Sequence, residues 1–563
     1  MKQLTKIPIW ALVLIIFLFG FGVYFNILPN QFVWDDEEQV VNNPYIRSFA
    51  NLQAIFKGST FNTGGAGLSG WYYKPLMSLW FMTNFAIWGL NPFGFHLSQL
   101  FLHLVNSGLI FLIFLKLFDS LRCKIAKLIA FFSALIFLVH PANVESVAYI
   151  SASQEVLYTF FLLLGLWLLS QRLDSLSLGL AILLFFLALL SKESAVVGIP
   201  LIFLYLWLVK NKKRMAFGWL VGSGLIFLFY FWLRTFIAKI PFSASHLSPI
   251  SQAPLIFRLL TLPFEIFSYL RLIFFPKVLA IAQHQVIKSP GDFRFWQSLL
   301  PVVIFFTGLI FLLWKLKNKL AWFFFFWFAG SLSLVLNIFP LDMTIAERWL
   351  YFPLIGFLGL SFSVISHKFV KVGGWLFLGL IIILFSTRTI IRTFDWRNGL
   401  VLFGHDIKFN QQAFDLENNY GVELFRAGKI AEAKSHFEKS IELQPNWWIS
   451  FNNLGVVYER EGDVQKARQL YQKSIANGDY YLAYENLAFL MLKTEDLGET
   501  IEFIEGALKK LPLNFRLRTA LVVAHYRNNN YNEALLEAKR LFQLNPTLET
   551  RQLLEAIIRR EKI

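Results

Sequence analysis

The chain has little cysteine and little charge for its length. Its 563 residues include a single cysteine, Cys123, so no disulfide can form within the chain and no cysteine cluster can bind a metal. Only 16% of the residues are charged, whereas 56% are hydrophobic and 18% aromatic, which excludes a soluble globular protein of this size. The composition therefore predicts an all-α, polytopic membrane protein.

Acidic residues are fewer than basic ones, 36 against 52, and the formal net charge is +16. Many of the basic residues lie in short loops between apolar segments, where Lys and Arg mark the cytoplasmic side of a membrane. We therefore attribute the charge to membrane topology and expect no nucleic-acid partner. The basic loops are at residues 122–127, 172, 210–214, 315–319 and 368–371.

Apolar segments of the length that a bilayer requires, about 20 residues, define the expected topology. The first follows Lys2 and Lys6 without an A-x-A-like cleavage site, so we expect it to be retained. Residues 75–90 are expected to lie along the interface, because Trp80 and Trp88 suit that position. About eleven spans are predicted, at residues 7–28, 93–118, 124–140, 155–170, 175–190, 195–210, 215–236, 296–314, 320–339, 349–366 and 373–391.

This topology places the candidate chemical groups on the outer face of the membrane. Four acids, residues 35–38, follow the first span. Carboxylates fixed beside the lipid can take a proton from an acceptor hydroxyl or hold a divalent metal, and the alternative is a solvated acidic loop. Also predicted on this face are His140 with Glu145, Lys192 with Glu193, and Glu347 with Arg348.

The sequence changes character near residue 396, where a 34-residue period begins with Asn418, Asn452 and Asn486. This period is the signature of tetratricopeptide repeats, which stack into an α-solenoid. We predict a membrane module at 1–395 and a repeat domain at 396–563, placed outside by the eleven crossings. The repeat domain is expected to contain four units, at 415–448, 449–482, 483–515 and 516–549, and a capping helix.

Repeat stacks of this kind bind extended peptides in a concave groove, so an acceptor polypeptide is an expected partner. Five aromatic side chains near the repeat junctions could contact such a peptide, but we favour packing between repeats. They are Trp447, Trp448, Tyr480, Tyr481 and Tyr484.

Six short motifs precede the repeats in a fixed order. They are Val33-Trp34-Asp35-Asp36 with Asn42-Asn43-Pro44, Tyr72-Tyr73-Lys74-Pro75-Leu76, Trp88 to His96, His140-Pro141 with Glu145, Ser191-Lys192-Glu193, and Glu347 to Pro353. Together with the repeats, these motifs resemble the transmembrane and tetratricopeptide-repeat O-mannosyltransferases of the GT-C class of membrane glycosyltransferases. The repeats are fewer than in typical eukaryotic members, which leaves the donor sugar and the acceptor open. We favour a prokaryotic origin, with a plasma-membrane location; a eukaryotic chain would lie in the endoplasmic reticulum.

The resemblance implies a polyprenyl- or dolichyl-phosphate sugar donor, commonly mannose, with transfer to Ser or Thr and inversion. It also implies that an acid of the first outer loop lies in the active site. Because phosphate is already a good leaving group, one base and a phosphate clamp suffice. Asp35 or Asp36 would be the base, with a slight preference for Asp35. The phosphate would be bound by Arg348 first, since a guanidinium can grip two oxygens, and by Lys192 and Arg234.

The supporting residues in this interpretation are Glu193, Glu347, His140 and Glu145. No cofactor is required, although a divalent ion, Mg²⁺ or Mn²⁺, on Asp35 and Asp36 is an open alternative. His96 and His103 share one helical face, a pattern that favours hydrogen bonds between helices over metal binding.

Two other functions fit the same sequence. One is a membrane scaffold without catalysis that displays the repeats for protein assembly, in which case the outer-loop charges would be dispensable. The other is a GT-C enzyme that glycosylates a lipid or polysaccharide, and the peptide-binding repeats argue against it.

Overall fold

The computed structural model describes residues 7–62, 68, 70–119, 125–241, 248–364, 372–494 and 496–561. Cys123 and the predicted basic residues at 122, 124, 368 and 371 lie outside this range, as do Lys2 and Lys6. The chain divides into two compact units. Unit 1 comprises Met1–Thr60 and Trp71–Asn410, and unit 2 comprises Phe61–Gly70 and Gln411–Ile563.

The described part of both units is helical, and its only bridges between extended segments are two isolated ones. The α-helices of unit 1 are α1 Ile9–Tyr24, α2 Leu52–Lys57, α3 Pro75–Trp88, α4 Pro92–Asp119, α5 Ala126–Val139, α6 Val144–Ala148, α7 Ser153–Gln171, α8 Ser175–Ser191, α9 Gly198–Leu204, α10 Lys213–Trp232, α11 Pro249–Gln252, α12 Leu255–Phe274, α13 Phe293–Leu316, α14 Lys319–Ser333, α15 Tyr351–Val364, α16 Val372–Asp395 and α17 Gly399–Asp406.

Six helical stretches among the described residues are long and apolar enough to cross a membrane. A bent pair, Ala126–Val139 with Pro141–Ala148, makes a seventh if it counts as one span. The protein is therefore a multi-pass membrane protein. The six are Ile9–Ile27, Pro92–Asp119, Ile150–Gln171, Lys213–Ile237, Phe293–Leu316 and Gly374–Asp395.

The remaining predicted spans fall on shorter apolar helices. α8 has 17 residues, and α15, where 349–366 was predicted to cross, has 14. At 1.5 Å per residue even the longer one reaches only about 25 Å, short of the roughly 30 Å hydrocarbon core. Among the described residues, the helices both long and apolar enough to span thus number six or seven, and the eleven-span topology stays a prediction.

Close helix packing in unit 1 uses small residues where two backbones meet. A Cβ at Gly356 of α15 would lie 2.6 Å from the backbone nitrogen of Phe328 on α14, so only glycine fits there. Membrane helices gain their contacts by such close approach, because lipid tails are as apolar as leucine. This packing holds the start of α15, and with it Glu347 and Arg348, in place.

Unit 1 extends beyond the predicted boundary near residue 396. The Arg392 guanidinium donates to both carboxylate oxygens of Asp406, at 2.7 and 2.9 Å, and Asp406 also accepts from the Ile281 backbone N–H at 2.9 Å. Because both charges are fully buried, this pair ties α17 to the membrane module. The first unit accordingly ends at Asn410.

Unit 2 consists of helix pairs followed by a final helix, as the 34-residue period predicts. The hydroxyl of Tyr484 donates to Asp479 at 2.7 Å, and Trp447 stacks on Trp448 at 5.4 Å. These contacts are of the packing type favoured for the aromatic residues. The helices are α18 Phe414–Arg426, α19 Ile430–Leu443, α20 Trp448–Glu461, α21 Val464–Gly478, α22 Tyr481–Thr494, α23 Leu497–Lys510, α24 Phe515–Arg527, α25 Tyr531–Leu544 and α26 Leu548–Arg559.

Candidate functional site

The acidic loop begins at a strained residue. Trp34 has a φ of +58°, a left-handed conformation that is rare for a large side chain. Its ring stacks on Tyr149, with centroids 5.1 Å apart and planes 14° apart, and the Arg348 guanidinium lies 5.7 Å from the ring centroid. Such strain persists only where the surroundings enforce it, and it clusters at functional sites.

Asp36 anchors this loop to the protein. Its carboxylate accepts hydrogen bonds from the Val33 N–H at 3.1 Å, and from the Ser151 N–H and hydroxyl, both at 2.7 Å. The residue is fully buried. Burial raises the pKa of Asp36 to about 7, although the bonds from Ser151 and Val33 act to lower it. Both oxygens are occupied, so Asp36 suits a structural role better than proton transfer.

Asp35 is held less tightly and is only partly buried. Burial raises its pKa, while the Tyr149 hydroxyl and the positive charges of Arg348 and Lys74 act in the opposite direction, and Asp342 raises it further. The Asp35 carboxyl therefore lies among cations. This is the arrangement that a proton acceptor beside a bound phosphate needs.

The aspartate pair does not fit the predicted alternative of a divalent ion held by Asp35 and Asp36. The Asp36 oxygens already accept from the Val33 and Ser151 groups. In the part of the chain that the structure describes, no group of three or more His, Cys, Asp and Glu side chains could hold a metal.

Arg348 lies next to Glu145, as expected if both residues belong to one site. Its guanidinium and its backbone N–H both donate to the Glu145 carboxylate, the N–H at 2.8 Å, although the two residues are 203 positions apart. Glu145 is fully buried, and Arg348 nearly so. This ion pair joins α6 to the short 3₁₀ segment Glu347–Leu350.

The other two predicted cations also have acidic partners. Lys192 pairs with Glu155, which the sequence reasoning did not single out. Arg234 lies 3.5 Å from Glu193 and also donates to backbone carbonyls, including that of Trp71 at 3.1 Å. Arg234 therefore fixes the loop that leads to α3 while contributing charge to the site.

The supporting residues differ in their environments. Glu347 is buried 3.8 Å from Arg392, and its carboxylate oxygens have no hydrogen bond within the described structure. Burial raises the pKa of Glu347 to about 8.

Both ring nitrogens of His140 form hydrogen bonds with backbone groups. One bonds with the Ile273 carbonyl oxygen at 3.1 Å, and the other accepts from the Ala142 N–H at 3.2 Å. These contacts give His140 a part in the bend between α5 and α6.

Three further residues of this site went unassigned in the sequence reasoning. The Tyr72 hydroxyl donates to Asp342 at 3.5 Å, and the Lys74 ammonium lies 4.1 Å from the centroid of the Tyr72 ring. Tyr72 and Lys74 both belong to the second of the six motifs, so that motif could have identified them as candidate site residues. Asp342 lies in the irregular segment before Glu347 and has no motif of its own.

His103 has the interhelical role that its position on α4 predicts. Its Nδ1 lies 2.8 Å from the Tyr351 hydroxyl, and its Nε2 lies 3.0 Å from the Leu138 carbonyl oxygen. Both ring nitrogens are thereby engaged with α5 and α15.

The repeats of unit 2 share a chain of asparagine side chains. Each amide group donates to the next carbonyl oxygen, at 2.9 to 3.2 Å. The chain links the first helices of three successive repeats; Asn418 and Asn452 are buried, and the other three asparagines are partly exposed. It runs from Asn486 through Asn452, Asn453 and Asn418 to Asn419.

Comparisons with known proteins agree with this division of the chain. A family model described as a tetratricopeptide repeat matches residues 421–481. A Caenorhabditis elegans protein named protein O-mannosyl-transferase F38B6.6 is 26% identical over 441 residues, covering 75% of this chain and 61% of that protein. Human proteins named protein O-mannosyl-transferase TMTC3 and TMTC1 are each 25% identical, covering 75% and 77% of this chain and 50% and 55% of their own lengths.

The resemblance predicted from the motifs is thereby confirmed, since the similarity to O-mannosyl-transferases extends over three quarters of the chain. The chain spans between half and three fifths of the length of these relatives. Among solved structures, the crystal structure of YrrB, a TPR protein with an unusual peptide-binding site, covers 28% of this chain and 82% of its own at 15% identity and a TM-score of 0.24.

Proposed function

We propose that this protein is a membrane glycosyltransferase that transfers a sugar, mannose in the first instance, from a polyprenyl-phosphate donor to Ser or Thr hydroxyls of proteins. The observation that carries the proposal is the position of Asp35, a partly buried carboxyl among the charges of Arg348 and Lys74. The named relatives supply the reaction class, and the repeats supply a reason for a protein acceptor.

In the proposed reaction, the Asp35 carboxylate takes the proton from the acceptor hydroxyl as its oxygen attacks the anomeric carbon. The bond from that carbon to the phosphate oxygen breaks, and the prenyl phosphate leaves with the electron pair. The sugar configuration inverts because there is one displacement. Asp36 acts by holding the loop, through Ser151 and Val33, so that Asp35 faces the cations.

The leaving phosphate needs positive charge but no proton, because a phosphate ester is already a good leaving group. Arg348, Lys192 and Arg234 form the predicted clamp. Each has an acidic partner that fixes its position before the donor arrives. Preorganised charge of this kind costs no reorganisation during the reaction.

The acceptor is proposed to bind the repeats in an extended form. The asparagine chain of unit 2 leaves amide donors and acceptors at its ends, and a peptide backbone offers the matching groups. This role requires unit 2 to be extracytoplasmic, as the distribution of basic loops predicts.

Incubation of the purified full-length protein with polyprenyl-phosphate mannose and a cell-envelope protein extract tests the proposal. We expect hexose on Ser or Thr in glycopeptide mass spectra, and no such peptides without the lipid-linked donor. Replacing that donor with a nucleotide sugar should give no product. Sugar found only on lipid or polysaccharide would reject the protein acceptor and support the alternative GT-C reaction.

A further inference from the structure

Lys74 is a buried lysine whose ammonium forms no ion pair with any carboxylate in the described part of the chain. It precedes α3, where its carbonyl oxygen accepts from the Met77 and Ser78 N–H groups. The side chain is only 8% exposed, and its Nζ lies 4.1 Å from the Tyr72 ring centroid. Within the described residues it forms no ion pair with any carboxylate.

The other three cations of the site differ from Lys74 in this respect. Arg348 is paired with Glu145, Lys192 with Glu155, and Arg234 lies beside Glu193. Their charge is largely compensated in the free protein. Lys74 is therefore the one cation of this set, among described residues, whose charge is not already paired with a carboxylate.

A buried ammonium without an ion pair is costly, and such groups at a membrane boundary mark binding sites or ion pathways. Burial lowers the pKa of Lys74 to about 8, with the nearby charge of Lys192 acting in the same direction. The acids Glu193, Glu155 and Asp342 act to raise it.

We propose that the Lys74 ammonium is a direct ligand of the donor phosphate, in addition to the clamp of Arg348, Lys192 and Arg234. This inference rests on the proposed function, because it assigns the anion to the prenyl-phosphate donor. Lys74 also influences the ionisation of Asp35, so an anion at Lys74 lies beside the proposed base. The contact serves both the intact donor and the prenyl phosphate that remains after transfer.

Binding of farnesyl phosphate to the full-length protein in detergent tests the inference, with farnesol as the uncharged control. Loss of one charge-assisted contact predicts that Lys74→Gln binds farnesyl phosphate about 10- to 100-fold more weakly, with no change for farnesol. Lys74→Arg should retain most of the affinity, which shows that the site still folds. The matched control is Lys210→Gln, which removes a half-buried lysine 5.7 Å from the Tyr205 ring and should bind like wild type.

A pH series separates phosphate binding from a structural role. The charged groups that face Lys74 are Lys192, Glu155, Glu193, Asp342 and Asp35, and the pKa of Tyr72 is raised well above its usual value of 10.0. The ligand keeps its charge because the second phosphate pKa is about 6. With Lys74 titrating near 8, wild-type affinity should fall about fivefold from pH 8 to pH 9, whereas Lys74→Arg should show no such fall.

Equal affinity of wild type and Lys74→Gln for farnesyl phosphate would overturn the inference and leave the proposed function standing. Conversely, a Lys74-dependent affinity in a protein that transfers no sugar would reject the proposed transferase reaction and keep the phosphate site. Absence of binding to wild type would overturn the inference together with the donor class.

Discussion

Asp35 and Asp36 have the same side chain, but we propose Asp35 as the base and Asp36 as the residue that holds the loop. The difference comes from their hydrogen bonds. Asp36 accepts three bonds from Val33 and Ser151, the latter 115 positions away, and is fully buried. Asp35 stands beside Arg348 and Tyr149 with part of its surface exposed. The sequence placed both in the site and preferred Asp35 slightly. It could not separate them further, because Ser151 reaches Asp36 only in the folded chain.

Asp36→Asn should destabilise the protein more than Asp35→Asn. An amide can accept through its oxygen alone, so its NH₂ group would face either the Val33 N–H or the Ser151 donors. A mismatched buried group of this kind costs about 1–3 kcal/mol. Thermal unfolding in detergent should therefore give a lower Tm for Asp36→Asn than for Asp35→Asn. Equal Tm values for the two variants would contradict the anchoring role of Asp36.

The acidic limb of the activity profile should lie above the usual aspartate range. Burial raises the pKa of Asp35 from its ordinary value of 3.8. The base must be ionised to accept a proton, so activity is present above this raised pKa and is lost as the pH falls through it. We expect kcat/KM, measured from pH 3 upwards on protein shown to remain folded, to decline towards low pH with its midpoint above pH 3.8. A midpoint at or below 3.8 would argue against Asp35 as the base.

At the scale of elements, the site depends on short irregular segments between helices. The Arg348–Glu145 pair joins α6 to the 3₁₀ segment Glu347–Leu350. α6 follows the apolar helix α5, and the 3₁₀ segment precedes the apolar helix α15. Both residues stand in motifs of the sequence, and the structure brings them together as an ion pair. Sequence patterns did not reveal Lys74, because its isolation from acidic partners depends on how Tyr72, Glu193 and Asp342 pack around it.

Glu145→Gln should weaken the junction between α6 and Glu347–Leu350. The amide oxygen can still accept from the Arg348 N–H, but the buried guanidinium loses its counter-charge. Breaking one partner of a buried pair costs about 3–5 kcal/mol, so the Tm should fall clearly. The matched control is Glu432→Gln, whose exposed pair with Lys429 is worth at most about 1 kcal/mol. A wild-type Tm for Glu145→Gln would show that this pair is not holding the junction.

The apolar pattern predicted each of the six described stretches that are long and apolar enough to cross a membrane, but not the lengths of the shorter helices. Predicted spans such as 175–190 and 349–366 fall on real helices, α8 and α15. α8 ends at Ser191, and the Lys192 backbone N–H bonds to the Ala188 carbonyl oxygen in its last turn. The eleven-span topology, which counts α8 and α15 as crossings, stays a prediction.

At the scale of the whole molecule, the chain divides into two compact units, and we propose catalysis for unit 1 and acceptor binding for unit 2. The 34-residue period predicted the helix pairs of unit 2 well, because each repeat buries the same positions against its neighbour. The boundary was placed too early, since the buried Arg392–Asp406 pair holds α17 within unit 1. A charge pair between the end of α16 and the end of α17, 14 positions apart, leaves no periodic signal in the sequence.

Deleting residues 411–563 should leave unit 1 able to fold and to glycosylate a short peptide slowly. The proposed base and the phosphate-binding cations all lie in unit 1, so KM for a protein acceptor should rise more than kcat falls. Steady-state kinetics with a protein acceptor and a short peptide measure the two effects. Unchanged kinetics for the protein acceptor would remove acceptor binding from the role of the repeats.

The central claim is sugar transfer with Asp35 as the base, and single-turnover transfer from polyprenyl-phosphate mannose to a serine peptide tests it most directly. Asp35→Asn, folded and inserted like wild type, should transfer about 10²- to 10⁴-fold more slowly, the usual contribution of a general base. Glu37→Gln, a matched change in the same acidic run, should transfer at the wild-type rate. Transfer by Asp35→Asn at the wild-type rate would contradict the account.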